Sequence, residues 1–197
     1  MDSKVFFTLK CGKMWTRKEV ECHMPIPGPI IMLLVLVGLG CCIYLLVRYT
    51  IYLRDRVFSP KERVFGTGMR SALLIYQPSR RKGAYHVAKA VAETLAREGY
   101  TVTLNRPSSA LDYDPGNYSY LIFGATAYMD DVGQPLKDYL ASLRFQGKRV
   151  LLYTVGDSDK APELAGLRLY VPNGNTIRTI KVKGDELSKL CLFAACE

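Results

Sequence analysis

From Met24 to Val47 the chain carries no charged side chain, and its centre reads Ile30-Ile31-Met32-Leu33-Leu34-Val35-Leu36-Val37-Gly38-Leu39-Gly40. As a helix, at ~1.5 Å per residue, this run is about 36 Å long, enough to cross a hydrocarbon core of roughly 30 Å. Uninterrupted apolar runs of this length are rare in the cores of soluble proteins. A cleaved signal peptide has a shorter apolar region closer to its start. Here 23 mostly polar residues come first. Residues 24–48 are therefore expected to form an uncleaved single-pass anchor in a cell membrane. Pro25 and Pro27 stand at the leading end, where a missing N–H costs little, and Arg48, Tyr49 and Tyr52 mark the far interface.

This segment also explains why a chain with 23% charged residues has a mean hydropathy of +0.03. The net charge of +9 is similarly uneven, because residues 1–70 hold 11 basic and 5 acidic side chains. A juxtamembrane excess of this kind suits a lipid bilayer with anionic headgroups. No RNA-binding aromatic motif or zinc finger accompanies it, so no nucleic acid is expected as a partner. Lys10, Lys13, Arg17 and Lys18 flank one side of the run, and Arg48, Arg54, Arg56, Lys61 and Arg63 the other. The tighter cluster after the span favours a cytoplasmic C-terminal domain.

Residues 1–23 form a polar tail too short for a domain, and 49–70 a connector. Within the connector, Ser59-Pro60-Lys61-Glu62 has the pattern of a helix start, with Ser59 as N-cap and Glu62 as its capping-box partner, ended by Gly66-Thr67-Gly68. The cysteines form no metal signature. Cys11 and the Cys22-His23 pair offer three ligands, one short of a closed zinc site, and Cys11 and Cys22 would pair only in an oxidising compartment. Neither histidine belongs to a hydrolytic triad pattern, and no catalytic or metal-binding residue is assigned.

From residue 71 to 197, strand and helix patterns alternate. Apolar runs at 71–77, 100–104, 118–124, 149–155 and 176–183 read as strands. Helical spacing appears at 85–97 (Val87, Ala88, Val91, Leu95), around Leu136, Leu140 and Leu143, at 162–170 and at 185–195. Asp131, with Gln134 three positions on, is placed to cap the second of these helices. The pattern predicts an α/β fold: a doubly wound, five-stranded parallel sheet preceded by one N-terminal transmembrane helix. Such sheets bind ligands beyond the carboxyl ends of their strands, which directs attention to the loops at 78–84, 125–131 and 156–160.

The succession Leu74-Ile75-Tyr76-Gln77-Pro78-Ser79, then Tyr120-Leu121-Ile122-Phe123-Gly124-Ala125-Thr126-Ala127-Tyr128 and Gln134-Pro135-Leu136-Lys137-Asp138-Tyr139-Leu140, resembles the flavodoxin-like family over about two-thirds of the chain. The resemblance implies FMN as cofactor, bound at the C-terminal edge of the sheet. It also implies electron transfer with a redox partner protein or a quinone. Ser79, Arg80, Arg81, Lys82, Gly83 and Ala84 stand where the family holds the flavin phosphate, with a basic centre in place of hydroxyls. Arginines can hold a phosphate in bidentate fashion. A solvated basic turn, or one facing the bilayer, are the other readings of this loop. Ala125, Thr126, Ala127 and Tyr128 form the second candidate segment, with Tyr128 against the ring or as an ordinary surface tyrosine, and Gly156 and Asp157 form the third. The functional expectation is a membrane-tethered electron carrier. An FMN oxidoreductase acting on a quinone or porphyrinogen, and a flavin-free docking module, are the alternatives.

Overall fold

The computed structural model describes residues 28–79, 83–158, 160–183 and 186–195. The chain forms two compact units, 1–50 and 51–197. Residues 1–27 lie outside the described residues, and with them the polar tail, Cys11, Cys22, Pro25 and Pro27. Helix α1, Gly28–Arg54, has no buried residue. Most of its leucines, valines and isoleucines are exposed, and it is long and apolar enough to cross a membrane. At ~1.5 Å per residue it measures about 40 Å, so the helix runs on past Arg48.

The second unit is an α/β sandwich. In chain order its elements are β1 (Arg63–Phe65), β2 (Arg70–Tyr76), α2 (Gly83–Arg97), β3 (Tyr100–Asn105), β4 (Tyr120–Thr126), α3 (Gln134–Ser142), β5 (Arg149–Val155), α4 (Pro162–Arg168), β6 (Thr176–Val182) and α5 (Leu187–Ala195). The sheet order is β1-β3-β2-β4-β5-β6. Strands β2 to β6 are parallel in the doubly wound arrangement, and β1 pairs antiparallel with β3 at the edge. The alternation of side chains along each strand divides the core into two layers. Leu74 and Tyr153 pack with Val91, Leu95 and Leu190 of α2 and α5. Ile75 and Phe123 pack with Leu136, Leu140, Leu164 and Leu167 of α3 and α4. Gly99, at φ +82°, ends α2 in the left-handed region where glycine has no steric penalty.

The five expected parallel strands form, and a sixth strand, β1, is added antiparallel at the edge. Two sequence expectations are corrected. Residues 59–62 form no helix: the N–H of Lys61 is donated to the side chain of Asn105, and Arg63–Phe65 join the sheet as β1. A helix of about two turns is marginal on its own, and edge pairing with β3 satisfies the backbone better. Asp131 does not cap α3. The N-cap position is Gly133, and the first helical N–H, that of Gln134, is donated instead to the carboxylate of Asp55 at 3.1 Å.

Candidate functional site

The chain leaves β2 toward β3 on one side and reaches β4 on the other, so the strand order reverses between β2 and β4. Parallel sheets open a crevice beyond their carboxyl ends at such a point. Two buried polar atoms without a hydrogen-bond partner among the described residues lie there, Gln77 Oε1 just after β2 and Thr126 Oγ1 at the end of β4. An unpaired buried acceptor or hydroxyl costs about 1–3 kcal/mol, so its presence at a strand end calls for a ligand or water. Gln77 is otherwise committed, its Nε2 donating to the carbonyl of Arg56 at 3.2 Å.

The second and third loops meet. Ala127 N–H donates to the Val155 carbonyl, and Gly156 N–H to the Val182 carbonyl. A Cβ on Gly156 would stand 3.3 Å from both Ala127 Cβ and Lys181 Cε, so a small residue is needed for the two loops to close together. Tyr128 and Asp131 exchange both backbone hydrogen bonds across Met129 and Asp130, which have φ of 50° and 57°. Two successive positive φ values define a type I′ turn, a conformation that costs a non-glycine residue of order 1 kcal/mol. The turn leaves Tyr128 37% and Met129 76% exposed, and Asp157 of the third loop is exposed as well.

Two ion-pair groups support these loops. Beneath the third, Lys181 Nζ lies 2.8 Å from Glu163 Oε1, with the carboxylate side chain fully buried and also accepting from Thr154 Oγ1. Burial works against ionisation of Glu163, but the hydrogen bonds from Lys181 and Thr154 and the Lys181 charge outweigh it and hold the carboxyl below its usual range. Beside the second, Asp131 receives Lys137 at 2.6 Å and Arg54 at 3.1 Å. Partial burial again opposes the charge, and the Lys137 hydrogen bond, the Val132 N–H and both cations override it, so the Asp131 carboxyl titrates low. The Arg54–Asp55 segment thus sits against the second loop, with the Arg54 carbonyl so close to Gly133 that a Cβ there would approach to 2.6 Å.

The first loop is separate. Arg80, Arg81 and Lys82 lie outside the described residues, Gly83 and Ala84 begin α2, and Ser79 lines a cleft between the ends of β2 and β3. The structure therefore brings Thr126, Ala127, Tyr128, Gly156 and Asp157 to one place and sets Ser79 in another cavity. Ala125 is fully buried and belongs to the core.

Against this geometry, known structures give a fold. Oxidised flavodoxin 2 from Bacillus cereus superposes with a TM-score of 0.50 and 16% identity, covering 64% of this chain and 97% of that one. The fold is flavodoxin-like. The apo form of an NADH:FMN oxidoreductase aligns at a TM-score of 0.48 and 21% identity, over 64% of this chain and 87% of that one. The Flv1 flavodiiron core from Synechocystis sp. PCC6803 aligns at 0.47 and 19%, over 64% of this chain but only 34% of the other, so the chain spans about a third of that protein. No family model matches the chain, and no curated protein matches it in sequence.

Sequence reasoning passed over Gln77, Asp55, Lys181 and Glu163. Glu163 follows a proline in the first turn of α4, where an acidic residue reads as a helix-dipole partner, and Lys181 lies in a strand of mixed polarity. Nothing local in either segment announces that the two meet.

Proposed function

We propose that the flavodoxin-like unit binds FMN at the C-terminal edge of its sheet and passes electrons to or from a partner in or at a membrane, to which α1 tethers it. The observation that carries this reading is the pair of buried atoms, Gln77 Oε1 and Thr126 Oγ1, that have no partner among the described residues at the adjoining ends of β2 and β4. The exposed Tyr128 beside them supports it. The donor set suits FMN: Thr126 offers a hydroxyl, Ala127 and Gly156 leave room at a ring edge, and Tyr128 supplies an aromatic face. Residues 79–84 would hold the phosphate, with Ser79 and the α2 N-terminus described and the three basic residues between them outside the described residues. FMN, when bound, supplies one- and two-electron chemistry. The chain positions the ring and, through Tyr128 and the Lys181–Glu163 pair, sets the electrostatic surroundings of the site.

The redox partner is a protein or a quinone, and tethering raises its effective concentration without further contacts. In this reading the α/β unit faces the cytoplasm, which the basic cluster after the span supports. The test is to purify the full chain in neutral nanodiscs, add FMN, and record the visible spectrum and the quenching of flavin fluorescence. Saturable quenching that weakens when Arg80 and Arg81 are both replaced by Ala is expected. An unperturbed FMN spectrum at high protein concentration would refute flavin binding and leave a flavin-free docking module.

A further inference from the structure

The cleft that contains Ser79 has chemistry of its own. It encloses about 340 Å³, within the range of roughly 300–1,000 Å³ typical of small-molecule sites. Its walls come from the ends of β2 and β3, from Tyr85 in the first turn of α2, from the extended segment that leads into β1 and from Arg63 of β1 itself. Among the described residues, none after β4 or β5 contributes. It therefore lies on the β3 side of the first loop, apart from Tyr128 and Gly156.

Three cations face it: Lys61, Arg63 and Arg106. Lys61 and Arg63 are two apart on an extended segment and so share a side, while Glu62 between them points away and accepts from Tyr113 OH. Asn105, 1% exposed, fixes the arrangement: its Oδ1 accepts from Lys61 N at 2.7 Å and from Arg106 N at 2.8 Å. One buried amide oxygen thus pins the two basic residues side by side. Among the described residues, no carboxylate is within ion-pair distance of any of the three cations.

Their partners are neutral. Arg63 donates to Tyr85 OH, and its guanidinium lies 5.2 Å from the ring centroid. Arg106 donates to Tyr76 OH at 3.4 Å and to the Ser59 carbonyl at 3.3 Å. A guanidinium has five N–H donors, so Arg106 retains donors for a ligand. Each tyrosine oxygen accepts from an arginine, which leaves its own O–H proton to donate. Like charges gathered without counter-charge repel one another, and an anion that accepts from Lys, Arg and Tyr together relieves that repulsion. The aromatic rings of Phe58, Tyr76 and Tyr85 leave an apolar wall for whatever carries the anion.

We propose that Lys61, Arg63 and Arg106 make this cleft a phosphate-ester site on the β3 side of the first loop, separate from the flavin phosphate on residues 79–84, with Ser79 on the border of both. The phosphate belongs either to an anionic lipid headgroup or to a soluble phosphorylated molecule. Phe58 is four residues beyond the end of α1, so at about 3.5 Å per residue the chain from Arg54 to the cleft reaches at most roughly 14 Å.

The experiment uses the full chain. In phosphatidylcholine nanodiscs it is titrated with glycerol 3-phosphate and inorganic phosphate, followed by calorimetry. In nanodiscs containing phosphatidate, hydrogen exchange is followed at residues 58–63 and 104–106. Lys61→Glu and Arg63→Gln are the variants. The Lys61 side chain bonds to nothing among the described residues, so its replacement leaves the fold intact, as an unchanged Tm will verify. Saturable binding of the soluble phosphates, weakened at least tenfold by each variant, assigns the site to soluble esters. Protection seen only with phosphatidate, and lost in Lys61→Glu, assigns it to a headgroup. Absence of both effects, or affinities unchanged in both variants, overturns the proposal. So does an FMN affinity that falls with Lys61→Glu as steeply as that of phosphate, because the cleft is then part of the flavin site.

Discussion

At the β4–β5–β6 end of the sheet, Lys137 meets Asp131 at 2.6 Å and Lys181 meets Glu163 at 2.8 Å. At the β3–β2 end, Lys61, Arg63 and Arg106 surround a cleft with tyrosines and backbone carbonyls as their partners. Both regions sit at carboxyl ends of parallel strands, yet among the described residues one has its charges neutralised by carboxylates and the other does not. An internally neutralised region holds loops in place. One with unpaired cations is prepared for an anion from outside.

The contrast breaks most visibly at Glu163. Glu163→Ala removes the counter-charge of a lysine that is 9% exposed. It should destabilise the α/β unit by about 3–5 kcal/mol, the usual cost of leaving a buried charge unpaired. Urea unfolding measures it, and a loss under ~1 kcal/mol would mean that water reaches Lys181 and that the region is not closed. Next in size is Gly133→Ala. The new Cβ would stand 2.6 Å from the Arg54 carbonyl, and overpacking of this kind costs about 1–3 kcal/mol. Faster hydrogen exchange at residues 51–58 should accompany it, while unaltered exchange there would detach the connector from the second loop.

The acid limb of stability gives a smaller effect. Asp131 and Asp55 both titrate below the ordinary carboxylate value of 3.8, Asp55 chiefly because of the hydrogen bond from Arg54. A depressed folded pKa stabilises the protein above the unfolded pKa, and that contribution is lost as pH falls through the folded value. The connector's attachment should thus be fully present at neutral pH and weaken below about pH 4. Asp131→Asn should cost about 1 kcal/mol at pH 7, as expected for half-exposed ion pairs, and flatten the profile. An identical acid limb in the variant would assign it to other carboxylates. At the open end Lys61→Gln should shift stability by no more than about 0.5 kcal/mol, since exposed positions without partners tolerate change. A larger loss there would reveal a hidden counter-charge. Tyr128→Ala is likewise expected to leave the Tm nearly unaltered while weakening FMN binding several-fold; equal flavin affinity would remove the ring from the second loop.

The parts of the fold that the sequence discloses are those whose signal is local. Leu73, Leu74 and Ile75 of β2, and Val87, Ala88, Val91 and Leu95 of α2, are all buried where the apolar run and the helical spacing put them. Strand β1 is three residues long and largely exposed, so no run of apolar side chains announces it. Its formation depends on β3, about 40 residues later. The Asp131 cap fails for a related reason. The left-handed turn at Met129 and Asp130 ends on Asp131, α3 starts three residues on at Gln134, and the carboxylate is drawn to Lys137 and Arg54. At the site, Thr126, Ala127, Tyr128 and Gly156 are legible because strand ends in a doubly wound sheet are predictable positions. The Lys61–Arg106 cleft is not, because Asn105 unites residues 45 apart through a single oxygen atom.

The hydrogen bond from Gln134 N–H to Asp55 also bears on the order of events during synthesis. The acceptor is made 79 residues before its donor, and Lys61 likewise waits 44 residues for Asn105. At ribosomal rates of about 5–20 residues per second, the segment behind α1 spends several seconds without the surface it finally rests on. During that interval Phe58, half-buried in the folded unit, is available to a chaperone or to lipid. Emergence of β4 and α3 from the ribosome is the moment at which the connector becomes part of the folded unit.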